Sequence, residues 1–326
     1  MKKLVVSAIA LAAVAFSAVS ANAGTIRLKM GDALAEDHPT SLALQHFIKE
    51  VEEKTNKSVR IKLFPNAVLG SEREVLEQIQ NDAVDIARIS ASNLENFNSI
   101  YSAFTLPYLF ESEDHFYNVL SGPIGEKIYG ATLDSGFRGL TFFDSGARSF
   151  YTKDKAVNTP DDLKGQKVRV INSHTSIRMV EMMGGTPTPL AYGEIYTALQ
   201  QGVIDGAENN PTALTLGRHG EVVKYYALDE HTRIPDFMII SNKAWDKLDD
   251  NQKKIVKEAA RNATKYHREI WGKAIQDALV EAHDKMGVTI SHPDKAPFLA
   301  KVMPIIEEYR QDPAIDELVG AILNAK

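Results

Sequence analysis

Two arginines and one asparagine in the middle of the chain are the residues best suited to bind a small anion. Arg148 follows the flexible pair Gly146-Ala147, Arg169 lies in an alternating apolar and polar segment, and Asn209 precedes Asn210-Pro211. A planar guanidinium binds a carboxylate through two parallel hydrogen bonds, and an amide can both donate and accept. Two arginines and an asparagine therefore predict a site for a small organic acid. Three alternatives stay open: an arginine on an edge strand, a loop charge, and a helix cap ahead of Pro211.

A second group of polar residues could recognise hydroxyl groups. His38 and Glu72 lie in polar segments that follow the first two predicted strands, where open α/β folds place binding residues. Tyr192 could close over a sugar ring or pack in the core. For His38 and Glu72 the alternative is a role in capping the helices that begin beside them.

Sequence signatures of catalysis are absent from the chain. There is no phosphate-binding Gly-x-x-x-x-Gly-Lys-Ser/Thr loop, no dinucleotide fingerprint and no Gly-x-Ser-x-Gly turn. The nine histidines never show metal-ligand spacing, and the absence of cysteine excludes a thiol nucleophile and disulfides. The sequence therefore favours a binding protein without cofactor or metal over an enzyme.

The first 23 residues have the pattern of a cleavable export signal. Lys2 and Lys3 precede an apolar run over 4–19, and Ala21-Asn22-Ala23 is typical of a cleavage site, so the mature chain is expected to begin at Gly24. A membrane anchor is the alternative, but no later segment is long and apolar enough to span a bilayer. We expect a periplasmic protein that is not embedded in the membrane.

The charge balance argues against nucleic acid as a partner. The formal net charge is −6, and it becomes −8 when Lys2 and Lys3 are removed. An acidic surface repels phosphates, so any arginine in a cleft must serve a local purpose.

The hydrophobic pattern predicts an α/β fold. Alternating segments at 25–30, 59–64 and 84–89 predict strands, and helices are expected to start at Pro39 and at Ser71. Strand, helix, strand, helix, strand is the order of a largely parallel sheet.

The second half of the chain predicts another α/β unit and a long helix. Strands are predicted at 137–143, 167–171 and 237–241, with helices after Ser173 and over 193–201. From Asp249 to Met286 apolar residues recur at near-helical spacing without proline. Such a helix of about 35 residues is about 50 Å long and would cross two domains, with a possible bend at its one glycine. The alternative is a helix lying along one large domain.

Many short segments, in order along the mature chain, resemble the solute-binding subunit of a tripartite ATP-independent periplasmic (TRAP) transporter of the dicarboxylate-binding DctP type. The resemblance covers essentially the whole mature chain. The segments are Phe64-Pro65-Asn66, Leu69-Gly70-Ser71-Glu72-Arg73, Phe104-Thr105-Leu106-Pro107-Tyr108-Leu109-Phe110, Asp162-Leu163-Lys164-Gly165-Gln166-Lys167-Val168-Arg169, Pro187-Thr188-Pro189 and Tyr196-Thr197-Ala198-Leu199-Gln200-Gln201-Gly202-Val203-Ile204-Asp205-Gly206.

The resemblance implies two α/β lobes joined by hinge strands that close on the ligand, with a long helix spanning both. The implied boundaries are 24–147 plus 235–272 for the first lobe and 148–234 plus 273–326 for the second, with hinges near Arg148 and Pro235.

The resemblance also implies roles for site residues. Arg169 would pair with the ligand carboxylate, with Arg148 as the second ligand arginine and Asn209 as the amide beside them. Cleft-lining positions match Asn172 and Tyr192. Glu72 and Arg73 stand where sialic-acid-binding members hold the sugar with an acidic-basic pair.

The ligand expected from the resemblance is a hexuronate, D-glucuronate or D-galacturonate. Segments 145–151 and 229–236 resemble the uronate-binding branch, and His38, Glu72 and Asp236 would suit a polyhydroxylated ring. The second candidate is a four-carbon dicarboxylate such as malate or succinate. The expected partners are a large and a small membrane permease subunit, with the chain itself a monomer; a sensory binding protein and an exported enzyme are the rival classes.

Overall fold

The computed structural model describes residues 24–325, and the predicted export signal lies outside this range. Over these residues the fold is a single mixed sheet of nine strands with helices on both faces. The strands are β1 Ile26–Gly31, β2 Val59–Phe64, β3 Ile86–Ser90, β4 Phe137–Thr152, β5 Lys167–Val170, β6 Thr186–Pro189, β7 Gly206–Asn209, β8 Tyr225–Ser241 and β9 Thr289–Ser291. The helices are α1 Pro39–Lys54, α2 Glu72–Gln80, α3 Ala91–Leu94, α4 Glu113–Ser121, α5 Pro123–Tyr129, α6 His174–Met182, α7 Ile195–Gln201, α8 Thr212–Thr215, α9 Asn242–Asp246, α10 Asp250–Asp284, α11 Ala296–Tyr309 and α12 Pro313–Asn324.

The first α/β unit forms as the alternating pattern predicts. β1 pairs in parallel with both β2 and β3, and α1 and α2 connect them. Pro39 occupies the start of α1, and Ser71 caps α2 in a reciprocal box with Glu74. Short local signals were sufficient here because buried and exposed residues alternate at the start of β2 and caps mark the starts of α1 and α2, although β3 is buried along its whole length.

Two long antiparallel strands, β4 and β8, run through the middle of the sheet, whose order is β2-β1-β3-β8-β4-β7-β5-β6 with β9 on β8. The prediction that a strand ends at Phe143 and leaves Arg148 in a flexible turn was wrong. β4 continues to Thr152, and Arg148 pairs with Thr232 of β8. The register shifts between Asp144 and Ala147, where Gly146 adopts a φ of +72°. The glycine signal therefore marks a bulge inside a strand rather than its end.

The second parallel unit joins β5 to β7 and β6. β6 was not predicted, because Pro187 and Pro189 are poor strand residues. They are tolerated there because β6 is the last strand at this edge of the sheet, where no further strand needs their N–H groups. α7 begins at Ile195 rather than at Gly193, after a 3₁₀ turn over Tyr192–Glu194.

The predicted long helix is α10, which has 35 residues and is continuous through Gly272. Asp249 and Gln252 form its capping box. It contacts β4 in the middle of the sheet, α1, which follows β1, and α8, which follows β7. Its buried residues divide accordingly: Ala259 packs with the core around β1, and Ala282 packs with the core around β7.

The C-terminal helices complete the core on one face of the sheet. α11 contacts α6, and α12 contacts α5 and the 3₁₀ turn at Ser99–Thr105. Their apolar residues join the largest core cluster, which extends under both groups of strands. None of the helices within residues 24–325 has the length and apolar character to cross a bilayer.

Candidate functional site

A cavity of about 610 Å³ lies where several strands of the sheet end. Ser90 at the end of β3, Ile171 just after β5 and Asn209 at the end of β7 are among the residues around it. Open α/β sheets bind ligands beyond the carboxyl ends of their strands. The structure brings every site residue predicted from the sequence to this cavity: Arg169, Arg148, Asn209, Asn172, Tyr192, Glu72, His38, Arg73 and Asp236.

Arg169 is a buried cation without a carboxylate partner. Its residue is 3% exposed, and its Nε and Nη2 atoms donate to the Leu190 carbonyl at 2.9 and 2.7 Å. Within residues 24–325 no carboxylate oxygen lies within ion-pair distance of it. Burial lowers the pKa of Arg169, since the charged form is poorly solvated, and the neighbouring Arg148 lowers it further. A buried guanidinium with free N–H groups at a cavity wall is suited to bind an anion.

Arg148 is equally buried but already neutralised. Its Nε and Nη2 atoms donate to the Glu208 carboxylate at 2.5 and 2.8 Å, and its Nη1 donates to Asn209 Oδ1 at 2.9 Å. Nη2 also donates to the Glu208 backbone carbonyl at 2.7 Å. Four donated bonds leave one of its five N–H groups for a ligand.

A chain of alternating charges extends behind Arg148. Glu208 also accepts from His231 Nε2 at 3.4 Å, and His231 Nδ1 lies 2.7 Å from Asp229. Burial alone would raise the pKa of Glu208, but Arg148 and His231 lower it to about 2. Burial would likewise lower the pKa of His231, yet Asp229 and Glu208 raise it to about 9. Two basic and two acidic side chains therefore alternate along this buried chain.

The amide of Asn209 is oriented by its neighbours. Oδ1 accepts from Arg148 and from the Asn210 backbone N–H at 2.9 Å, and neither donor can accept in return. The amide nitrogen must therefore point away from them, and it makes no hydrogen bond to any described residue. The alternative of a helix cap is not observed for Asn209, because it is Asn210 Oδ1 that accepts from Thr212 N.

Arg88 is the centre of a charge cluster that sequence reasoning did not single out. Its Nε and Nη2 donate to Asp32 at 2.9 and 2.8 Å, and its Nη1 donates to Glu72 at 2.5 Å and to Asp236 at 3.3 Å. We refer to Arg88, Asp32, Glu72 and Asp236 as the Arg88 cluster. An arginine at the centre of the apolar segment Ile86–Ser90 was the one available signal.

The carboxylates of the Arg88 cluster differ in how well they are satisfied. Glu72 also accepts from Ser90 N at 2.9 Å and from Asn93 Nδ2 at 2.7 Å, so it is not a helix cap. Asp236 accepts only at Oδ2, from Arg88, and its Oδ1 has no partner among the described residues. Burial raises the pKa of Asp236 to about 7, and Glu72 and Asp32 add to this against the opposing effects of Arg88 and Arg148.

Both ring nitrogens of His38 make hydrogen bonds, and the residue caps a helix, which was the alternative to ligand binding. It is the N-cap of α1, and its Nδ1 accepts from Thr40 N at 3.1 Å. Nε2 must then carry the proton and donate to Thr212 Oγ1 at 3.2 Å, whose hydroxyl donates to Asn210 Oδ1 at 2.6 Å. Burial, with a smaller effect of Arg88, lowers the pKa of His38 to about 3. The ring therefore stays neutral and joins the loop before α1 to α8.

Three of the predicted residues lie at the rim of the cavity. Arg73 is exposed and pairs with Glu77 one turn along α2 at 3.3 Å. Asn172 is exposed, and its backbone carbonyl accepts from Asn96 at 2.9 Å. Tyr192 is half-buried, with its ring tilted against His219 at a centroid distance of 5.7 Å.

Residues 30–312 match the family model of DctP, the bacterial extracellular solute-binding proteins of family 7. The chain belongs to this family. This confirms the resemblance to TRAP solute-binding proteins and the two-lobed periplasmic binding protein fold that it implied. A solute-binding protein of Chromohalobacter salexigens is 38% identical over 291 residues, which cover 89% of this chain and 86% of that protein.

Solved structures of other TRAP periplasmic solute-binding proteins have the same fold. One from Anaerococcus prevotii, with bound D-glucuronate, is 38% identical with a TM-score of 0.89 and covers 91% of this chain and 97% of its own. One from Xanthobacter autotrophicus, with bound β-D-galacturonate, is 35% identical with a TM-score of 0.89. The match covers 92% of this chain and 100% of that one. The DctP chain described here therefore shares its architecture with proteins crystallised with sugar acids.

Proposed function

We propose that this DctP-family protein captures a hexuronate, D-glucuronate or D-galacturonate, for delivery to a TRAP permease. The observation that carries the proposal is the buried guanidinium of Arg169, which has no carboxylate partner within residues 24–325 and lies in a cavity lined elsewhere by hydrogen-bonding groups. The two solved relatives that hold uronates support the choice of ligand.

The ligand carboxylate is bound at the Arg169 end of the cavity, which we define as Arg169, Arg148 and Asn209. Arg169 supplies the net positive charge and a two-bond fork, because the Leu190 carbonyl occupies only part of its donors. Asn209 adds its amide N–H, and Arg148 adds its remaining N–H. Glu72 and Asp236 line the cavity as well, and carboxylate oxygens accept from sugar hydroxyls.

Capture requires the two lobes to close over the cavity. The lobe boundaries and the hinges near Arg148 and Pro235 stay predictions that come from the resemblance. The bulge before Arg148 and the proline opposite Asp144 in the β4–β8 pair support hinges at these positions. Contacts that would hold the closed form are His38 to Thr212 and the Glu95 carboxylate to the Thr175 N–H and hydroxyl at 3.2 and 3.0 Å. A ligand that touches both lobes stabilises the closed state.

The role is binding without turnover, in a periplasm reached through the signal at residues 1–23. The chain would act as a monomer and pass its ligand to a large and a small permease subunit. His38 lines the cavity, and both of its ring nitrogens are occupied, by Thr40 N–H and by Thr212 Oγ1.

A thermal-shift screen of the mature chain from Gly24 tests the proposal. The ligands are D-glucuronate, D-galacturonate, sialic acid and succinate. At a concentration about 100 times its Kd, a ligand adds about 2.7 kcal/mol to the free energy of unfolding, which a melting curve resolves. A shift with a uronate and none with succinate is expected. A shift with succinate alone would contradict the proposed ligand while leaving the carboxylate site in place.

A further inference from the structure

We infer that the Arg88 cluster is a charge filter, which admits an acid with one carboxylate and rejects an acid carrying a second carboxylate at its far end. The inference rests on the proposed function, since it assumes that the first carboxylate binds at the Arg169 end. It concerns specificity and assigns the Arg88 cluster a role that hydrogen bonding to a sugar would not by itself require.

The cavity has two ends of opposite charge. Arg148, Asn209 and Arg169 lie on β4, β7 and β5, whereas Arg88 and Asp236 lie on β3 and β8. β8 and β4 are neighbours in the sheet, so the two sets meet side by side. A ligand held by Arg169 therefore extends its other end toward Glu72, Arg88 and Asp236, all of which line the same cavity.

Charge counting gives the two ends different signs. At the Arg169 end, Arg148 and Glu208 cancel, as do His231 and Asp229, which leaves the single positive charge of Arg169. In the Arg88 cluster one cation faces three carboxylates, so the cluster is negative whether or not Asp236 holds a proton. A second ligand carboxylate would lie close to the negatively charged Arg88 cluster. Because the cluster is buried, solvent and salt screen this repulsion only weakly.

Arg88 cannot compensate for that repulsion. Four donated hydrogen bonds, two to Asp32, one to Glu72 and one to Asp236, leave one of its five N–H groups free. A two-bond grip on a ligand carboxylate is therefore excluded unless an existing ion pair breaks. By contrast, Oδ1 of Asp236 has no partner among the described residues and can accept from a ligand hydroxyl.

The ionised form of Asp236 repels a second ligand carboxylate, whereas its protonated form would donate a hydrogen bond to one. Its ionised form is already disfavoured by burial and by Glu72 and Asp32, although Arg88 and Arg148 favour it. A ligand anion beside it adds a third negative neighbour, whereas a hydroxyl group donates to it.

The test compares D-gluconate with D-glucarate, two open-chain six-carbon acids that differ in a terminal hydroxymethyl or carboxylate group. Affinities are measured by calorimetric competition in the mature protein, in Asp236→Asn and in Glu72→Gln. Asp246→Asn is the matched control, because Asp246 is exposed on α9 and does not line the cavity. Melting curves confirm that each variant is folded.

We expect D-gluconate to bind the wild-type protein at least about tenfold more tightly than D-glucarate, which corresponds to about 1.4 kcal/mol. Asp236→Asn should reduce that ratio by tightening D-glucarate, and Asp246→Asn should leave it unchanged. If neither acid binds the wild type, a gain of D-glucarate binding in either cavity variant supports the filter and no gain overturns it. Equal or tighter wild-type binding of D-glucarate also overturns it. A failure of the proposed function is seen separately, as absence of D-glucuronate binding to the wild type.

Discussion

Replacing Arg169 by methionine should strongly weaken ligand binding without destabilising the ligand-free protein. The methionine keeps a stem of similar length and removes the charge. Arg169 has no carboxylate partner in residues 24–325. Its burial disfavours the charged form, and so does the neighbouring Arg148. The substitution therefore relieves a solvation cost and removes no ion pair, at the expense of two hydrogen bonds to the Leu190 carbonyl.

The loss of affinity follows from the bonds that the free N–H groups can make. Two charge-assisted hydrogen bonds to a buried carboxylate contribute about 1.5 to 3 kcal/mol each. We expect a loss of about 3 to 5 kcal/mol, which weakens Kd roughly a hundredfold to several thousandfold. Arg169→Lys should also bind poorly, since an ammonium group cannot form the planar fork.

The assay is isothermal titration with D-glucuronate, paired with melting curves of the ligand-free proteins. Arg73→Ala is the matched control, because Arg73 borders the same cavity but is 61% exposed and paired with Glu77 at the surface. Its Kd should change less than about threefold, as expected for an exposed pair. Near-normal affinity of Arg169→Met, or a large fall in its ligand-free melting temperature, would refute the account of Arg169 as a charge kept free for the ligand.

Three further predictions concern the groups around Arg169. Arg148→Ala should destabilise the ligand-free protein by about 3 to 5 kcal/mol, because it leaves Glu208 buried and ionised without its main partner; a melting temperature equal to that of the wild type would show that this pair is dispensable. Glu208 has a pKa lowered from 4.5 to about 2, so its contribution is present above pH 4.5 and is lost as the pH falls toward 2. Between pH 5 and pH 2.5 the melting temperature should therefore fall more steeply with decreasing pH for the wild type than for Glu208→Gln. Equal falls in the two proteins would contradict the assigned ion pair. Thr212→Val leaves the His38 Nε2–H without an acceptor in the closed form, which costs about 1 to 3 kcal/mol; titration should show weaker D-glucuronate binding, and unchanged affinity would exclude this contact from closure.

The parts of the fold that follow from local signals could be predicted from the sequence. The parallel unit of β1, β2 and β3 and the 35 residues of α10 need only alternation, helical spacing and caps. The full lengths of β4 and β8 could not be predicted in this way. A bulge at Gly146 and a proline at position 235 interrupt each pattern, and pairing between the two strands overrides these local breaks.

The candidate site could also be predicted only in part. Arg169 could be predicted as a site residue because it lies near the end of a recognisable strand, where a side chain faces the cavity. Arg88 was not, because its partners Asp32 and Asp236 lie 56 and 148 residues away in the sequence. The neutralisation of Arg148 by Glu208, 60 residues on, depends equally on the pairing of β4 with β7. Residue type can suggest an ion, but only the fold decides which charges cancel and which remain for a ligand.

A crystal structure of the mature protein with D-glucuronate tests most directly whether Arg169 binds the ligand carboxylate. We expect the ligand carboxylate on the Arg169 fork, within hydrogen-bond distance of Asn209 Nδ2, and the sugar hydroxyls toward Asp236 and Glu72. A carboxylate bound instead at Arg88, with the hydroxyls against Arg169, would contradict it.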